Sequence, residues 1–254
     1  MAELSAAAPA GGAAFERDVL LATKLHMPRL QQGFVARLRL VEALDEGLSR
    51  RLMLVCAPAG FGKTALLADW ARRGSRPVAW LSLDAGDNDP ARFWRHAVAA
   101  LDRVRPGIGE RVGPVLGPPA PLSFEGLVTA LINELAAQPG EDKLLLVLDD
   151  YHLIDTQQVQ DSLVFLLEHM PSSMHLVLAS RADPPLPLAR LRAAGQLAEL
   201  RADDLRFTAE EAAALLREAV GGDLPGAAAG RWPGCRWMLV TMTRRGFGGT
   251  RSRR

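Results

Sequence analysis

The sequence has few of the residues that build a disulfide framework or a metal centre. It contains only two cysteines, Cys56 and Cys235, and its five histidines are scattered without ligand spacing. No run reaches the roughly 18 apolar residues that a membrane span needs. No basic start followed by an apolar core precedes residue 20, so no secretory signal is predicted. We expect a cytoplasmic protein with no structural metal and no membrane partner.

The charge of the chain is unevenly distributed although its net value is only +1. Residues 225–254 hold seven arginines and no acidic residue. A basic tail can bind nucleic acid or an anionic surface. This one shows no apolar period and no capping signals, which favours an out-of-frame or prematurely ended extension. We therefore predict a disordered segment at 1–19, one domain at 20–220 and an atypical arginine-rich tail at 221–254.

The strongest motif lies between residues 52 and 64, where a buried apolar run enters a glycine-rich turn and ends in Gly62-Lys63-Thr64. Strand, glycine turn, Lys-Thr and helix form the layout of a phosphate-binding P-loop. Backbone N–H groups at the turn and at the helix start offer hydrogen-bond donors to a nucleotide triphosphate. Lys63 is expected to reach the β- and γ-phosphates, and the Thr64 hydroxyl is expected to ligate Mg²⁺. The predicted nucleotide-binding residues are Ala57, Pro58, Ala59, Gly60, Phe61, Gly62, Lys63, Thr64 and Ala65.

The motif departs from the usual pattern at one position. Ala57 stands where the first glycine of a P-loop is usual. An alanine fits there if its φ is negative. The alternative interpretation is a chance glycine-rich turn before a helix.

A second signal is the run of residues 143–150, in which five apolar residues end in Asp149 and Asp150. A buried strand that delivers a carboxylate at its tip matches a Walker B segment. Asp149 would then hold Mg²⁺, and Asp150 would orient or deprotonate the attacking water. The alternative is a strand that ends in a turn-forming pair of aspartates. The P-loop earlier in the chain favours the Walker B interpretation.

Two arginines are candidate ligands of the nucleotide. Arg181 follows the predicted fourth strand at 174–180, and a guanidinium just past a strand tip can contact the γ-phosphate. Its alternative role is to bond neighbouring carbonyls. Arg37 stands at the head of the helical pattern 38–48 and could lie near the nucleotide base. A solvated arginine is the equal alternative there.

Strand and helix patterns alternate along residues 20–220, which predicts an α/β fold with a parallel sheet of about five strands and helices on both faces. Strands are expected near 52–56, 78–83, 143–150, 174–180 and 197–200. Asp89, Ser123, Asp155 and Thr208 are the predicted helix caps. Residues 105–121 are rich in Pro and Gly and are expected to form an irregular surface loop. The order of the motifs suggests that the fourth strand inserts between the first and third, as in additional-strand P-loop NTPases.

The motifs together resemble the N-terminal ATPase region of the large ATP-binding LuxR-type transcriptional regulators, a group of signal-transduction ATPases with numerous domains. The resemblance covers about residues 20–220. In this family an alanine at the position of Ala57 is ordinary. The segments that carry the resemblance are Thr23-Lys24-Leu25-His26, Pro28-Arg29, Ala57 to Thr64, Leu148-Asp149-Asp150-Tyr151-His152 and Ala179-Ser180-Arg181.

The resemblance implies a switch that binds ATP and Mg²⁺ and hydrolyses ATP slowly. In the family, ATP holds an active, self-associating form and ADP a resting form, while C-terminal repeats sense an inducer and a helix-turn-helix binds DNA. Those C-terminal regions have no counterpart in this sequence, so DNA binding is expected only through a domain that is missing here. Three alternatives stay open: a free-standing ATPase or phosphotransferase, a nucleic-acid binder acting through the basic tail, and a non-functional fragment.

Overall fold

A five-stranded parallel sheet forms the centre of the structure. The computed structural model describes residues 20–116, 124–137 and 142–220. The strand order is β2-β3-β4-β1-β5, so β4 lies between β1 and β3, which confirms the predicted insertion. The predicted segments 1–19 and 221–254 lie outside the described residues. The strands are β1 (Leu52–Cys56), β2 (Val78–Ser82), β3 (Leu144–Asp149), β4 (Met174–Ser180) and β5 (Leu197–Arg201).

Helices cover both faces of the sheet, and each face has its own hydrophobic core. None of the described helices combines the length and the apolar character that a membrane crossing needs. Within the described ranges, the connections also contain three short 3₁₀ turns, Ala22–Leu25, Ala85–Asn88 and Tyr151–Leu153. The helices are α1 (Leu38–Gly47), α2 (Lys63–Arg73), α3 (Pro90–Asp102), α4 (Ile108–Leu116), α5 (Phe124–Ala137), α6 (Gln157–His169), α7 (Leu188–Ala193) and α8 (Ala209–Val220).

The two cores divide the side chains of each strand by alternation. In β1, Leu52 and Leu54 pack with α3, α4, α5 and α6, whereas Met53 and Val55 pack on the other face with α1 and α2. The strands β3 and β4 alternate in the same way, and all their residues are buried. Burial on both faces is the reason why these strands are largely apolar in the sequence. In β4 the buried His175 interrupts the apolar run, and its Nδ1 lies 2.8 Å from the Arg50 carbonyl oxygen.

The expected irregular loop at 105–121 is wrong over most of its length, because α4 occupies residues 108–116. Ile108 and Val112 lie one turn apart, and both are buried against the larger core. The Asp102 carboxylate accepts hydrogen bonds from the backbone N–H groups of Gly107 at 2.9 Å and Gly109 at 2.8 Å. These contacts begin the helix despite its glycines and proline.

Two of the predicted helix caps are confirmed. The Asp89 side chain accepts from the backbone N–H of Arg92 at 2.7 Å at the start of α3. Thr208 and Glu211 form a capping box at the start of α8, with bonds of 2.9 and 3.2 Å. The predicted cap Ser123 lies outside the described residues.

The predicted cap at Asp155 is wrong, because Thr156 is the N-cap of α6 and makes no capping bond with its side chain. The backbone there is held by Asn88, whose side-chain oxygen accepts from the N–H groups of Asp155 at 2.8 Å and Thr156 at 3.0 Å. The Thr156 hydroxyl also donates to the Asn88 carbonyl at 2.8 Å. A residue distant in sequence therefore holds the backbone just before α6, and no side chain caps the first turn of this helix.

A buried ion cluster fixes the 3₁₀ turn Ala22–Leu25 beside β2. The Lys24 ammonium contacts Asp87, which is fully buried, and lies 3.1 Å from the Asp84 carboxylate. His96 Nδ1 lies 3.0 Å from Asp87 Oδ1. Burial alone would raise the pKa of Asp87, but the hydrogen bonds from His96 and Lys24 outweigh it and lower that pKa to about 2. The start of the domain is thus tied to the region between β2 and α3.

Candidate nucleotide-binding site

The predicted site residues meet at the carboxyl edge of the sheet. β1 leads into the loop that precedes α2, β3 ends at Asp149, and β4 is followed by Arg181. The Thr64 hydroxyl, on the first turn of α2, donates to Asp149 Oδ1 at 3.1 Å. Because β4 lies between β1 and β3, the tips of all three strands are neighbours. Ligands of open α/β sheets bind at this edge.

The loop between β1 and α2 depends on glycine at two positions. Gly60 and Gly62 have φ of +86° and +73°, a region that L-residues rarely adopt. A Cβ at Gly60 would meet nothing within 4 Å, so this part of the backbone is open to an approaching ligand. Ala57 is buried and lies outside the positive-φ region, as the sequence interpretation required.

Lys63 is the first residue of α2, and its ammonium curls back over the loop. Lys63 Nζ donates to the carbonyl oxygens of Ala57 at 2.7 Å and Pro58 at 3.1 Å. Burial lowers the pKa of this ammonium, and the charge of Arg181 acts in the same direction, whereas Asp150 and Asp149 oppose the shift. No side chain caps the start of α2, so its first N–H groups remain donors for an anion.

Asp149 and Thr64 offer the oxygen ligands that Mg²⁺ prefers. The Asp149 side chain is buried, and burial together with the negative charge of Asp150 raises its pKa to about 6, against the hydrogen bond from Thr64. A buried carboxylate whose ionised form is disfavoured by burial is the donor that a metal ion would stabilise. Among the described residues, no group of three or more His, Cys, Asp or Glu could hold an ion. Thr64 and Asp149 supply two oxygen ligands, so an Mg²⁺ ion held by them would take its other ligands from phosphates and water.

Asp150 has an unusual backbone at the tip of β3. Its φ of 58° is the only positive φ of a non-glycine residue in the part of the chain that the structure describes. Strain of this kind clusters at functional sites. The Asp150 side chain is 42% exposed, and its Oδ1 lies 3.8 Å from His152 Nδ1.

His152 lies next to the site, although the sequence motifs assigned it no role. Burial lowers the pKa of its imidazole, and so does the charge of Arg181. The available signal was its position two residues after Asp150 in the Asp-Asp-Tyr-His run. Arg181 itself is exposed at the end of β4, where its charge also acts on Lys63.

Arg37 lies behind the loop, in contact with its backbone. The residue is 2% exposed, and Nη2 donates to the Gly62 carbonyl at 3.4 Å. Its other amino group, Nη1, donates to the Leu205 carbonyl at 3.0 Å. The predicted contact of Arg37 with a nucleotide base stays a prediction.

Comparison with known proteins agrees with this geometry. A family model described as AAA ATPase domain matches residues 34–179. The serine/threonine-protein kinase PknK of Mycobacterium tuberculosis is 39% identical over 208 residues, which are 80% of this chain and 18% of the kinase. The HTH-type transcriptional regulators MalT of Cronobacter sakazakii and Serratia proteamaculans are each 38% identical over 194 residues, 76% of this chain and 21% of theirs. The resemblance to LuxR-type regulators is thereby confirmed, and the chain spans about a fifth of the length of these relatives.

Proposed function

Because this chain belongs to the AAA ATPase domain family, we propose that it binds ATP with Mg²⁺ and acts as the nucleotide switch of a transcriptional regulator. One observation carries the proposal. The hydroxyl of Thr64 donates to the buried carboxylate of Asp149 at 3.1 Å, beside a loop whose Ala57 carbonyl is hydrogen-bonded by Lys63 Nζ. A phosphate chain and its cation need this combination of N–H donors, ammonium and oxygen ligands.

Each residue of the site has a proposed role. The backbone N–H groups of residues 57–65 would hold the phosphates, and Lys63 would neutralise the β- and γ-phosphate oxygens. Thr64 and Asp149 would hold Mg²⁺, which when bound neutralises charge on the phosphates. Asp150, whose carboxylate is partly exposed, would orient or deprotonate the attacking water. Arg181 would contact the γ-phosphate, and its exposed position leaves it free to do so.

Slow hydrolysis would serve to reset the switch. The similarity to the two MalT proteins, which are HTH-type transcriptional regulators, supports a role in transcriptional regulation. In this proposal the ATP form self-associates in the cytoplasm, and a separate helix-turn-helix domain contacts DNA. The similarity to PknK supports a second candidate, in which the same switch serves a protein kinase. Measurable multiple turnover by this chain without a partner would instead favour a free-standing ATPase.

Calorimetric titration of the purified chain with Mg²⁺-ATP and with ADP tests the proposal. We expect a dissociation constant in the micromolar range, about −8 kcal/mol, and weaker binding of ATP when EDTA removes the metal. GTP in a parallel titration measures base preference. A chain that circular dichroism shows to be folded but that binds neither nucleotide would overturn the proposal.

Substitution of Asp149 by asparagine should stabilise the nucleotide-free protein and abolish the strengthening of ATP binding by Mg²⁺. The raised pKa of about 6 means that the ionised form is disfavoured by folding at pH 7. Asparagine removes this charge, and its Oδ1 can still accept the hydrogen bond from Thr64. We therefore expect the free energy of unfolding of the nucleotide-free protein to rise by about 2–3 kcal/mol.

Thermal melts with and without Mg²⁺-ATP measure both effects of this substitution. Asp150→Asn is the comparison variant: it removes a partly exposed charge that contributes to the raised pKa of Asp149, so it should raise the apo melting temperature by less than Asp149→Asn does. An Asp149→Asn protein that melts below the wild type without ligand would contradict the argument from burial.

A further inference from the structure

Two arginines at the start of α1 hydrogen-bond the connection between β5 and α8, residues 202–208. Arg39 Nη1 donates to the Asp204 carbonyl at 2.7 Å, and its Nη2 donates to the Arg206 carbonyl at 2.6 Å. Arg37 Nη1 donates to the carbonyl between them, that of Leu205, at 3.0 Å. Three successive carbonyls of the β5–α8 connection are therefore bound by one pair of guanidinium groups.

Arg39 also binds the first turn of α8. The Glu211 carboxylate accepts two bonds from Arg39, at 3.0 and 3.1 Å. The same carboxylate accepts from the Thr208 N–H at 2.9 Å in the capping box of α8. A bidentate arginine–carboxylate pair fixes orientation as well as distance. The start of α8 is thus attached to α1 rather than free to pivot.

Arg37 connects these contacts to the phosphate-binding loop. Its Nη2 bonds the carbonyl of Gly62, which also accepts the first helical bond of α2 from Leu66 at 2.9 Å. A Cβ at Gly62 would lie 3.1 Å from Arg37 Nη2, so the loop approaches the guanidinium closely. On its other side, the Arg37 guanidinium carbon lies 5.2 Å from the centre of the Phe207 ring. One buried group therefore contacts both the loop residue before Lys63 and the β5–α8 connection.

We propose that Arg37 is a positioning residue that couples occupancy of the loop to docking of the β5–α8 connection. The proposal rests on the proposed function, since it assumes that the loop binds the phosphates of ATP. A ligand that fixes the backbone around Gly62 fixes the partner of Arg37 Nη2, and through the guanidinium it fixes the carbonyl of Leu205. The nucleotide state then changes how firmly the start of α8, the last described element of the chain, is held.

Linkage makes the coupling measurable from both sides. If bound nucleotide holds the connection more firmly, a loosened connection must weaken nucleotide binding by the same factor. Couplings of this kind change affinities by about 5- to 100-fold. A guanidinium that acts only through Gly62 should affect every ligand of the loop equally, whatever base the ligand carries.

Hydrogen exchange of the full chain, followed by mass spectrometry with and without saturating Mg²⁺-ATP, tests the coupling. In the wild type, we expect nucleotide to slow exchange several-fold in the loop at 57–66 and also in residues 202–212. In Arg37→Gln, nucleotide should protect the loop only. In Arg39→Gln, exchange in 202–212 should rise in both states while protection by nucleotide persists. That persistence separates coupling from a merely structural role.

Arg50→Gln is the matched control. Arg50 Nη1 donates to one exposed carbonyl, that of Gly195, at the opposite edge of the sheet. Its loss should leave exchange in 202–212 and nucleotide affinity unchanged. Arg37→Lys is the second variant if Arg37→Gln does not fold, because a lysine keeps the charge but cannot bridge two carbonyls in the fixed fork of an arginine. It should retain less than half of the nucleotide-dependent protection.

A second probe, Mg²⁺-tripolyphosphate, separates positioning from base contact. Arg37→Gln should weaken ATP and tripolyphosphate by the same factor, between about 5- and 100-fold. A loss for ATP alone would assign Arg37 to the base and overturn the proposal. A wild type that binds Mg²⁺-ATP without any change in 202–212 would overturn it and leave the proposed function standing. A wild type that binds neither probe would overturn both.

Discussion

Replacement of Lys63 by alanine should raise the dissociation constant of Mg²⁺-ATP at least about 100-fold, equivalent to about 3 kcal/mol. The ammonium is bonded to the carbonyls of Ala57 at 2.7 Å and Pro58 at 3.1 Å, which places it on the concave side of the loop. Alanine removes the cation that would face the phosphates and the two bonds that curl the loop. Hydrogen bonds to charged groups contribute about 1.5–3 kcal/mol each, so the expected loss is conservative.

Calorimetry on matched variants measures this loss. Lys143→Ala is the control, because Lys143 Nζ also donates to a backbone carbonyl, that of Leu48 at 2.8 Å, but lies at the start of β3, far from the loop. It should bind Mg²⁺-ATP like the wild type. Binding by Lys63→Ala within about threefold of the wild type would place the phosphates elsewhere on the molecule.

Replacement of Lys24 by methionine should lower the free energy of unfolding by about 3–5 kcal/mol, because it removes the cation from a buried pair. Lys24 is 6% exposed and contacts Asp87, which is fully buried. Methionine fills a similar volume but leaves the Asp87 carboxylate in the interior without its ammonium. His96 and Arg92 lie at 3.0 and 3.7 Å from this carboxylate and compensate only in part.

Urea unfolding of three proteins isolates this effect. Arg190→Met is the surface control: Arg190 pairs with Glu168 at 2.6 Å, but the arginine side chain is 74% exposed, so its loss should cost less than about 1 kcal/mol. The double variant Lys24→Met with Asp87→Asn should recover part of the stability, because no uncompensated charge remains. Equal costs for Lys24→Met and Arg190→Met would refute the argument.

The stability of the wild type should also depend on Asp87 in acid. Its pKa of about 2 in the folded protein lies below its usual value of 3.8. The unfolded chain therefore takes up a proton first, so the contribution of Asp87, about 2 kcal/mol, is complete above pH 4 or so and is lost as the pH falls toward 2. Unfolding midpoints measured between these values should change less steeply in Asp87→Asn than in the wild type.

The parts of the fold that follow local patterns could be predicted from the sequence. The largely apolar runs that end at Cys56, Asp149 and Ser180 predicted β1, β3 and β4, because a strand buried on both faces is mostly apolar. The order of the motifs also predicted correctly that β4 lies between β1 and β3. The meeting of Thr64 with Asp149 follows directly from that order.

The contacts between distant residues could not be predicted, because no local pattern records them. Asn88 holds the backbone at Asp155 just before α6, where a local cap was expected, and Lys24 pairs with Asp87 beside the edge strand β2. At α4, the glycines and proline indicated a loop, whereas the spacing of Ile108 and Val112 lets both side chains pack in the core and favours the helix. The hydrogen bonds from Arg39 to the carbonyls of Asp204 and Arg206 depend on where β5 ends, which only the assembled sheet defines.

The position of β4 has a consequence for how the chain reaches its native state. Leu52 pairs with Leu176 and Leu144 with Met174, so β1 and β3 have no contact within the sheet until β4 lies between them. During synthesis, the earlier strands and their helices must wait in a partly open state until residue 180 has left the ribosome. Sheets built from such distant pairings fold slowly and expose apolar strand edges meanwhile. Chains released before β4 is complete should therefore be a source of aggregation rather than of smaller folded domains.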